Sequence, residues 1–216
     1  MTLCSHEIPP PDPDEAARLR ESMVTTQLLA RDIAHEGVLQ AMAKVPRHEF
    51  AGDVPLGTAY GDHPIPIGFG QTISQPYIVA LMTQLARPQP RSRVLDVGTG
   101  CGYQAAVLSE LVGHVWSLEI VPELAESAAA RLRRLGCLNV DVLCRDASAG
   151  LPAEAPFDAI VCAAAPRDVP EALVDQLAPG GRLVLPVGVG QQSLLVVTKN
   201  DDGSVKSENI GAVSFV

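Results

Sequence analysis

A doubly wound α/β fold follows from three observations on this chain. First, VLDVGTGCGYQAA, residues 94 to 106, runs from apolar residues through Asp96 into glycines at alternate positions (Gly98, Gly100, Gly102), and a helical pattern starts at once. That is a buried parallel strand turning tightly into a helix, with glycines that let the backbone adopt positive φ and approach a ligand. Second, only 4% of residues are aromatic although 47% are hydrophobic, so the core must be Val, Leu, Ile and Ala, which suits strands buried on both faces. Third, strand and helix patterns alternate through the middle of the chain and strand patterns run consecutively at its end. Together these predict a Rossmann-like, seven-stranded sheet with an antiparallel edge and a ligand at the carboxyl ends of the strands.

Residues 1 to 13 are proline-rich and expected to be disordered, unable to bury enough apolar surface to offset their ordering entropy. A helix is expected from Asp14, with Leu19, Met23, Leu28 and Leu29 as its apolar stripe, and a second from 34 to 45, stopped by Pro46. These are additions that precede the nucleotide-binding unit. Residues 46 to 75 read as a long irregular segment, and such loops tend to be functional. It ends in Gln71, Thr72, Ile73, Ser74 and Gln75, and a helix follows with Pro76 in its first turn. On local grounds Ser74 is a helix N-cap.

After the glycine turn the patterns give helix 103 to 112, strand 114 to 120, helix 122 to 135 and a strand near 140 to 144. Strand 158 to 165 and helix 170 to 177 follow, the latter ending in APGG, and then GRLVLPV, SLLVVTK and NIGAVSFV supply three strands. With 216 residues, one domain over 14 to 216 is expected, divided into 14 to 75 and a nucleotide-binding core over 76 to 216.

The glycine turn alone leaves two ligand classes open, a dinucleotide and S-adenosylmethionine. Glu119, at the end of HVWSLEI, is placed to accept hydrogen bonds from two ribose hydroxyls in either case. Asp96 favours the methyl donor: a carboxylate there suits its amino-acid part and would repel a pyrophosphate. Asp146, after the next strand, is where such a fold presents polar contacts to an adenine.

The formal net charge of −9 disfavours a nucleic-acid partner. The densest basic run, RLRR at 131 to 134, reads as a solvated helix face. Five cysteines without CxxC spacing read as reduced thiols of a cytoplasmic protein, Cys101 being a small filler of the glycine turn, and the scattered histidines form no metal constellation. No apolar run is long enough for a membrane span. A monomer is expected, since no element offers an obvious apolar seam.

Several stretches together resemble one family, the protein-L-isoaspartate (D-aspartate) O-methyltransferases. MVTTQLLARDI with VLQAMAKVPRHEF looks like its N-terminal helices, and AYGDHPIPIGFGQTISQPYIVALM looks like its substrate loop. VLDVGTGCGYQAA and FDAIVCAAAPRDVPEALVDQLAPGGRLVLPVG extend the likeness over roughly residues 20 to 215. QTISQPY is its most specific part. The resemblance implies a class I methyltransferase fold, S-adenosylmethionine as donor with S-adenosylhomocysteine as product, and as acceptor the α-carboxylate of L-isoaspartyl residues in aged proteins and peptides. The methyl ester would close to a succinimide and reopen partly as aspartate, a repair.

By the same likeness Ser74 falls on the family's active-site serine, which sets aside the purely local reading. Gln71 to Gln75 with Pro186, Val187 and Gly188 would hold the acceptor. Asp96, Gly98, Thr99, Gly100, Gly102, Tyr103, Glu119, Ile120, Asp146 and Ala147 would hold the donor. A carboxylate is ionised at neutral pH, so no general base is needed, and catalysis reduces to placing its oxygen and excluding water. The chain departs from the family at Arg145-Asp146-Ala147, where Gly-Asp-Gly is usual, and it stops at Phe215 and Val216 where relatives commonly run on. The departure leaves a same-fold methyltransferase for another carboxylate or small molecule as the alternative.

Overall fold

The computed structural model describes residues 12–215. Helix α1 (Pro13–Met23) begins one residue before the expected start, where the Asp12 side chain accepts from the Asp14 amide at 3.0 Å. The rest of the expected tail lies outside the described residues. A π-helical turn (Val24–Leu29) continues α1. It removes Leu29 from the predicted stripe: Leu28 is fully buried and Leu29 is 57% exposed, because the wider turn shifts the angular phase of the residues that follow. Helix α2 (Glu36–Lys44) is shorter at its start than expected.

The segment 46 to 75 is more ordered than its composition implies. It holds a 3-10 turn (Arg47–Glu49), the short helix α3 (Leu56–Ala59) and an antiparallel hairpin of β1 (Ile65–Gly68) and β2 (Gln71–Ile73). The hairpin turn needs positive φ at Gly68, Phe69 and Gly70. Helix α4 (Pro76–Ala86) follows, capped by Gln75 rather than Ser74 and without a side-chain capping bond. The N-cap reading of Ser74 is therefore corrected, since the serine stands one residue too early to face the helix amides.

The main sheet contains seven strands in the order β5-β4-β3-β6-β7-β8-β9. They are β3 (Arg93–Val97), β4 (His114–Glu119), β5 (Val140–Cys144), β6 (Phe157–Cys162), β7 (Leu177–Val187), β8 (Gln192–Lys199) and β9 (Val205–Val213). Strands β3 to β7 run parallel, and β8 and β9 join antiparallel. Helices α5 (Tyr103–Ser109), α6 (Pro122–Arg134) and α7 (Glu171–Asp175) make the crossovers. The order of strands reverses between β3 and β6, which creates a crevice above their carboxyl ends.

Two boundaries differ from expectation. APGG does not end a helix: β7 already begins at Leu177, and its register jumps from Phe157↔Leu177 to Ala159↔Arg182, so these residues form a bulge inside the strand. The last strand begins at Val205 and ends at Val213, earlier than predicted at both ends. The expected strand residues are otherwise buried on both faces: Val94, Leu95, Ile160, Val161, Leu183 and Val184 are fully buried. Among the described residues, no helix is long and apolar enough to cross a membrane.

Arginines of the RLRR run are not all solvated. Arg131 Nη1 donates to the Cys101 carbonyl at 2.8 Å and Arg134 pairs with Glu49 at 2.8 Å. The first of these bonds holds the glycine turn against α6. The predicted solvated face is thus corrected for Arg131, which α6 points at the turn because Leu132 beside it is buried in the core.

Candidate active site

A cleft of about 440 Å³ opens above the reversal point, within the usual size of a cofactor pocket. Its floor is the end of β3 with Val97, Gly98 and Gly100, and one wall is the end of β6 from Cys162 to Pro166. Gly98 and Gly100 adopt φ of 90° and 53°. A side chain at Gly98 would find room, 3.5 Å from the Ala164 amide, but would be strained by the positive φ. Glycine is what adopts that conformation without strain there.

Glu119 ends β4 and lines the cleft although it is only 6% exposed. Its Oε2 accepts from the Gly100 amide at 2.7 Å, and Oε1 accepts from Ile120 and Val121 at 2.9 and 3.0 Å. These bonds fix the carboxylate at the cleft and leave Oε2 free to accept from one further donor. Beside it, Ile120 is 65% exposed and offers an apolar plate. Arg145, Asp146, Ala147 and Ser148 complete that side. The Asp146 side chain accepts from the Ser148 amide at 2.8 Å, and the Arg145 amide donates to the Glu119 carbonyl at 2.8 Å, so the departing segment is braced without glycines.

The opposite rim is β2 and the residue after it. Gln71, Thr72 and Ser74 line the cleft, whereas Ile73 is buried in the core, as strand alternation requires. A second cavity, of about 650 Å³, lies on the far side of this rim, with Arg31, Pro64, Gln75, Tyr77 and Ile78 in its wall. Thr72, Ser74 and Phe215 face both cavities. Pro186, Val187 and Gly188 line neither. The Gly188 amide donates to the Pro166 carbonyl at 3.0 Å, so the end of β7 supports the cleft wall from behind.

Other predicted donor residues lie beneath the cleft. Asp96 is fully buried; its Oδ2 accepts from Ser117 Oγ at 2.6 Å, and Ser117 Oγ in turn stands 2.6 Å from Thr99 Oγ1. Oδ1 has no hydrogen-bond partner. Burial, with a smaller push from Glu119, raises the Asp96 carboxyl to about 7, against the hydrogen bond from Ser117. Gly102 caps α5 at φ 92°, where a side chain would meet Leu132 at 3.2 Å. Tyr103 is a core residue, 1% exposed, its ring 5.4 Å from that of Phe50.

Two thiols near the cleft, Cys101 and Cys162, are buried. Burial raises Cys101, and Cys162 is pushed up to about 12 while it donates to the Ala164 carbonyl at 3.2 Å. Sequence reading missed the β6 wall, although DAIVCAAA ends at the carboxyl edge where a doubly wound sheet binds ligands. It also missed Phe215, for which nothing local gave a signal.

S-adenosylmethionine fits this donor set. The cleft offers one carboxylate at the β4 end for a ribose, apolar surface from Ile120, Ala147 and Leu173 for an adenine, and glycine backbone between. Its charged side chains are Glu119, Arg145 and Asp146, a net negative lining that suits a cationic sulfonium better than a pyrophosphate.

A family model described as protein-L-isoaspartate(D-aspartate) O-methyltransferase matches residues 18–216. The chain is 50% identical over 198 residues to protein-L-isoaspartate O-methyltransferase 2 of Nitrosococcus oceani, covering 91% of this chain and 90% of that one. It is 54% identical to protein-L-isoaspartate O-methyltransferase of Opitutus terrae, covering 91% and 85%. Among solved structures it is similar to a protein-L-isoaspartate O-methyltransferase at TM-score 0.83 and 29% identity, covering 91% of this chain and 65% of that one. It is similar also to such an enzyme of Plasmodium falciparum, in complex with S-adenosyl-L-homocysteine, at TM-score 0.77 and 27% identity, covering 91% and 96%.

Proposed function

The chain belongs to the protein-L-isoaspartate(D-aspartate) O-methyltransferase family, and on that premise we propose how its cleft divides the work of the reaction. The protein is an S-adenosylmethionine-dependent methyltransferase that acts on the α-carboxylate of L-isoaspartyl residues in damaged proteins and peptides. The ester so formed leads through a succinimide toward repair.

One observation carries the assignment of parts. The donor cleft and the second cavity meet at Thr72, Ser74 and Phe215, so a group held in one can face a group held in the other only across this rim. We assign the second cavity to the isoaspartyl peptide and the first to the donor, whose sulfonium supplies an activated methyl group when bound. Glu119 holds the ribose, Gly98 and Gly100 the amino-acid part, and Ile120, Asp146 and Ala147 the adenine. Asp96 acts from below by setting the glycine turn rather than by touching the donor.

The acceptor carboxylate is ionised at neutral pH and needs no base. Ser74, half-buried on the rim and free of any capping bond, donates a hydrogen bond that fixes which carboxylate oxygen points at the donor. Backbone groups of Gln71 to Gln75 assist, and Phe215 with the apolar β6 wall keeps water away. We place the protein in the cytoplasm as a monomer; the free thiols Cys101, Cys137, Cys144 and Cys162 accord with a reducing compartment.

The test is transfer of labelled methyl from S-adenosylmethionine to an L-isoaspartyl peptide beside its aspartyl twin. Base-labile label is expected on the first only. Equal labelling of both, or of neither, would overturn the assignment of the second cavity to the isoaspartyl acceptor.

A further inference from the structure

Arg47 is the largest fully buried side chain among the described residues, and it takes part in none of their ion pairs. Its Nε donates to the Ala59 carbonyl at 2.8 Å and one terminal nitrogen reaches the His63 carbonyl at 3.5 Å, while Nη1 has no partner. The guanidinium lies 5.0 Å from the centre of the Tyr103 ring. Burial lowers its pKa from the ordinary arginine value, against the smaller opposing influence of Tyr103. A buried cation with no carboxylate is an expensive way to fill space, because its desolvation is offset only by hydrogen bonds to carbonyls and by an aromatic face.

What distinguishes this position is what it joins. Tyr103 opens α5 directly after the glycine turn. Ala59 and His63 bracket the bend that carries Asp62. Asp62 in turn accepts from Gln75 Nε2 twice, through its carboxylate at 2.9 Å and its carbonyl at 3.3 Å, and it pairs with Arg31 in the wall of the second cavity. Gln75 directly follows Ser74. A continuous path therefore runs from the donor turn through Arg47 and Asp62 to the acceptor rim.

We propose that Arg47 is a positioning residue that holds the acceptor loop in register with the donor turn, so that its contribution is to acceptor binding and not to fold stability. The inference rests on the reading of residues 71 to 75 as the acceptor rim. It is a fork that serves here: two carbonyls facing different nitrogens of one planar group are fixed relative to each other, and a single ammonium cannot reproduce that.

The experiment compares wild type, Arg47→Met and Arg47→Lys by thermal melting and by steady-state kinetics with S-adenosylmethionine and an L-isoaspartyl peptide. For Arg47→Met the peptide KM is expected to rise at least about tenfold, while kcat and the donor KM stay within about threefold. Its melting temperature is expected to fall by no more than a few degrees, relief of the buried charge offsetting the lost bonds to the Ala59 and His63 carbonyls, and Arg47→Lys should lie between the two in peptide KM. A purely structural role would instead lower stability with no selective rise in peptide KM. That pattern, an unchanged peptide KM in the folded variants, or failure of both variants to fold would overturn the inference. If wild type itself leaves the isoaspartyl peptide unlabelled, the acceptor reading fails and this inference falls with it; a failure confined to the variants leaves the acceptor reading standing.

Discussion

In the proposed mechanism Ser74 donates to the acceptor carboxylate, and a hydrogen bond to a charged acceptor contributes about 1.5–3 kcal/mol. Ser74→Ala should therefore lower kcat/KM for an isoaspartyl peptide by roughly 10- to 100-fold with donor affinity unchanged. Steady-state kinetics beside a donor titration would check this, and full turnover in the variant would remove the serine from the mechanism. Asp96 yields a different kind of prediction. An unfolded carboxyl ionises near 3.8 whereas the folded one keeps its proton to about 7, so its contribution to stability is full below the first value and is lost as pH rises through the second. The slope within that window is at most about 1.4 kcal/mol per pH unit. Asp96→Asn should abolish this component, so the variant gains on wild type in melts taken from pH 4 toward pH 7. Parallel curves would mean that the folded carboxyl is ionised. Sequence reading placed Asp96 at the ligand because the strand end is visible in the pattern. It could not show that Ser117, on the neighbouring strand, occupies one of its oxygens. Ser74 was visible only through a family likeness, since its local context reads as a helix cap.

The alternating elements were legible because a period of two or of 3.6 survives in any stretch long enough to bury a face. The β1–β2 hairpin was not, since Pro64, Pro66, Gly68 and Gly70 give it the composition of a loop while its register is set by Ile65 pairing with Ile73 across the turn. The bulge in β7 was hidden for the same reason: APGG has turn chemistry, and only the pairing of β6 with β7 shows that the strand passes through it. Helix α4 has Ser74 ahead of its first turn and Arg87 in the left-handed conformation at its C-cap, φ 52°. An L-residue held there costs about 1–2 kcal/mol, partly offset by glycine's greater freedom in the unfolded chain. Arg87→Gly is accordingly expected to raise stability by about 0.5–1 kcal/mol, a gain of a few degrees in melting temperature. Methyl transfer should not change, because this end of α4 does not line either cavity at the Ser74 rim. A drop in melting temperature would show that the Arg87 side chain has packing that outweighs the backbone strain.

At the scale of the whole molecule, the cleft exists only because distant parts of the chain converge. Thr72 and Ser74 come from the hairpin side, Gly98 and Gly100 from β3, Glu119 from β4, Ala163 to Ala165 from β6, and Phe215 from beyond the last strand. No sequence window contains more than a fragment of it, and it was legible only insofar as the order of strands fixes where their carboxyl ends meet. A ligand bound across these parts stabilises the folded state alone, by about 2.7 kcal/mol at a hundred times its Kd. For a chain of this size each kcal/mol moves the melting temperature by about 2–4 °C. Saturating S-adenosylhomocysteine should thus raise it by roughly 5–10 °C, and the same concentration of NAD should leave it unmoved, because the lining charges Glu119, Arg145 and Asp146 sum to a net negative field that disfavours a pyrophosphate. Glu119→Gln should reduce the shift, since an amide group must turn one of its ends as a donor toward amides that themselves donate to this residue. Equal shifts with both ligands would mean that the lining does not discriminate by charge. No shift with S-adenosylhomocysteine would contradict the donor site itself, and this readout is independent of whether any acceptor is methylated.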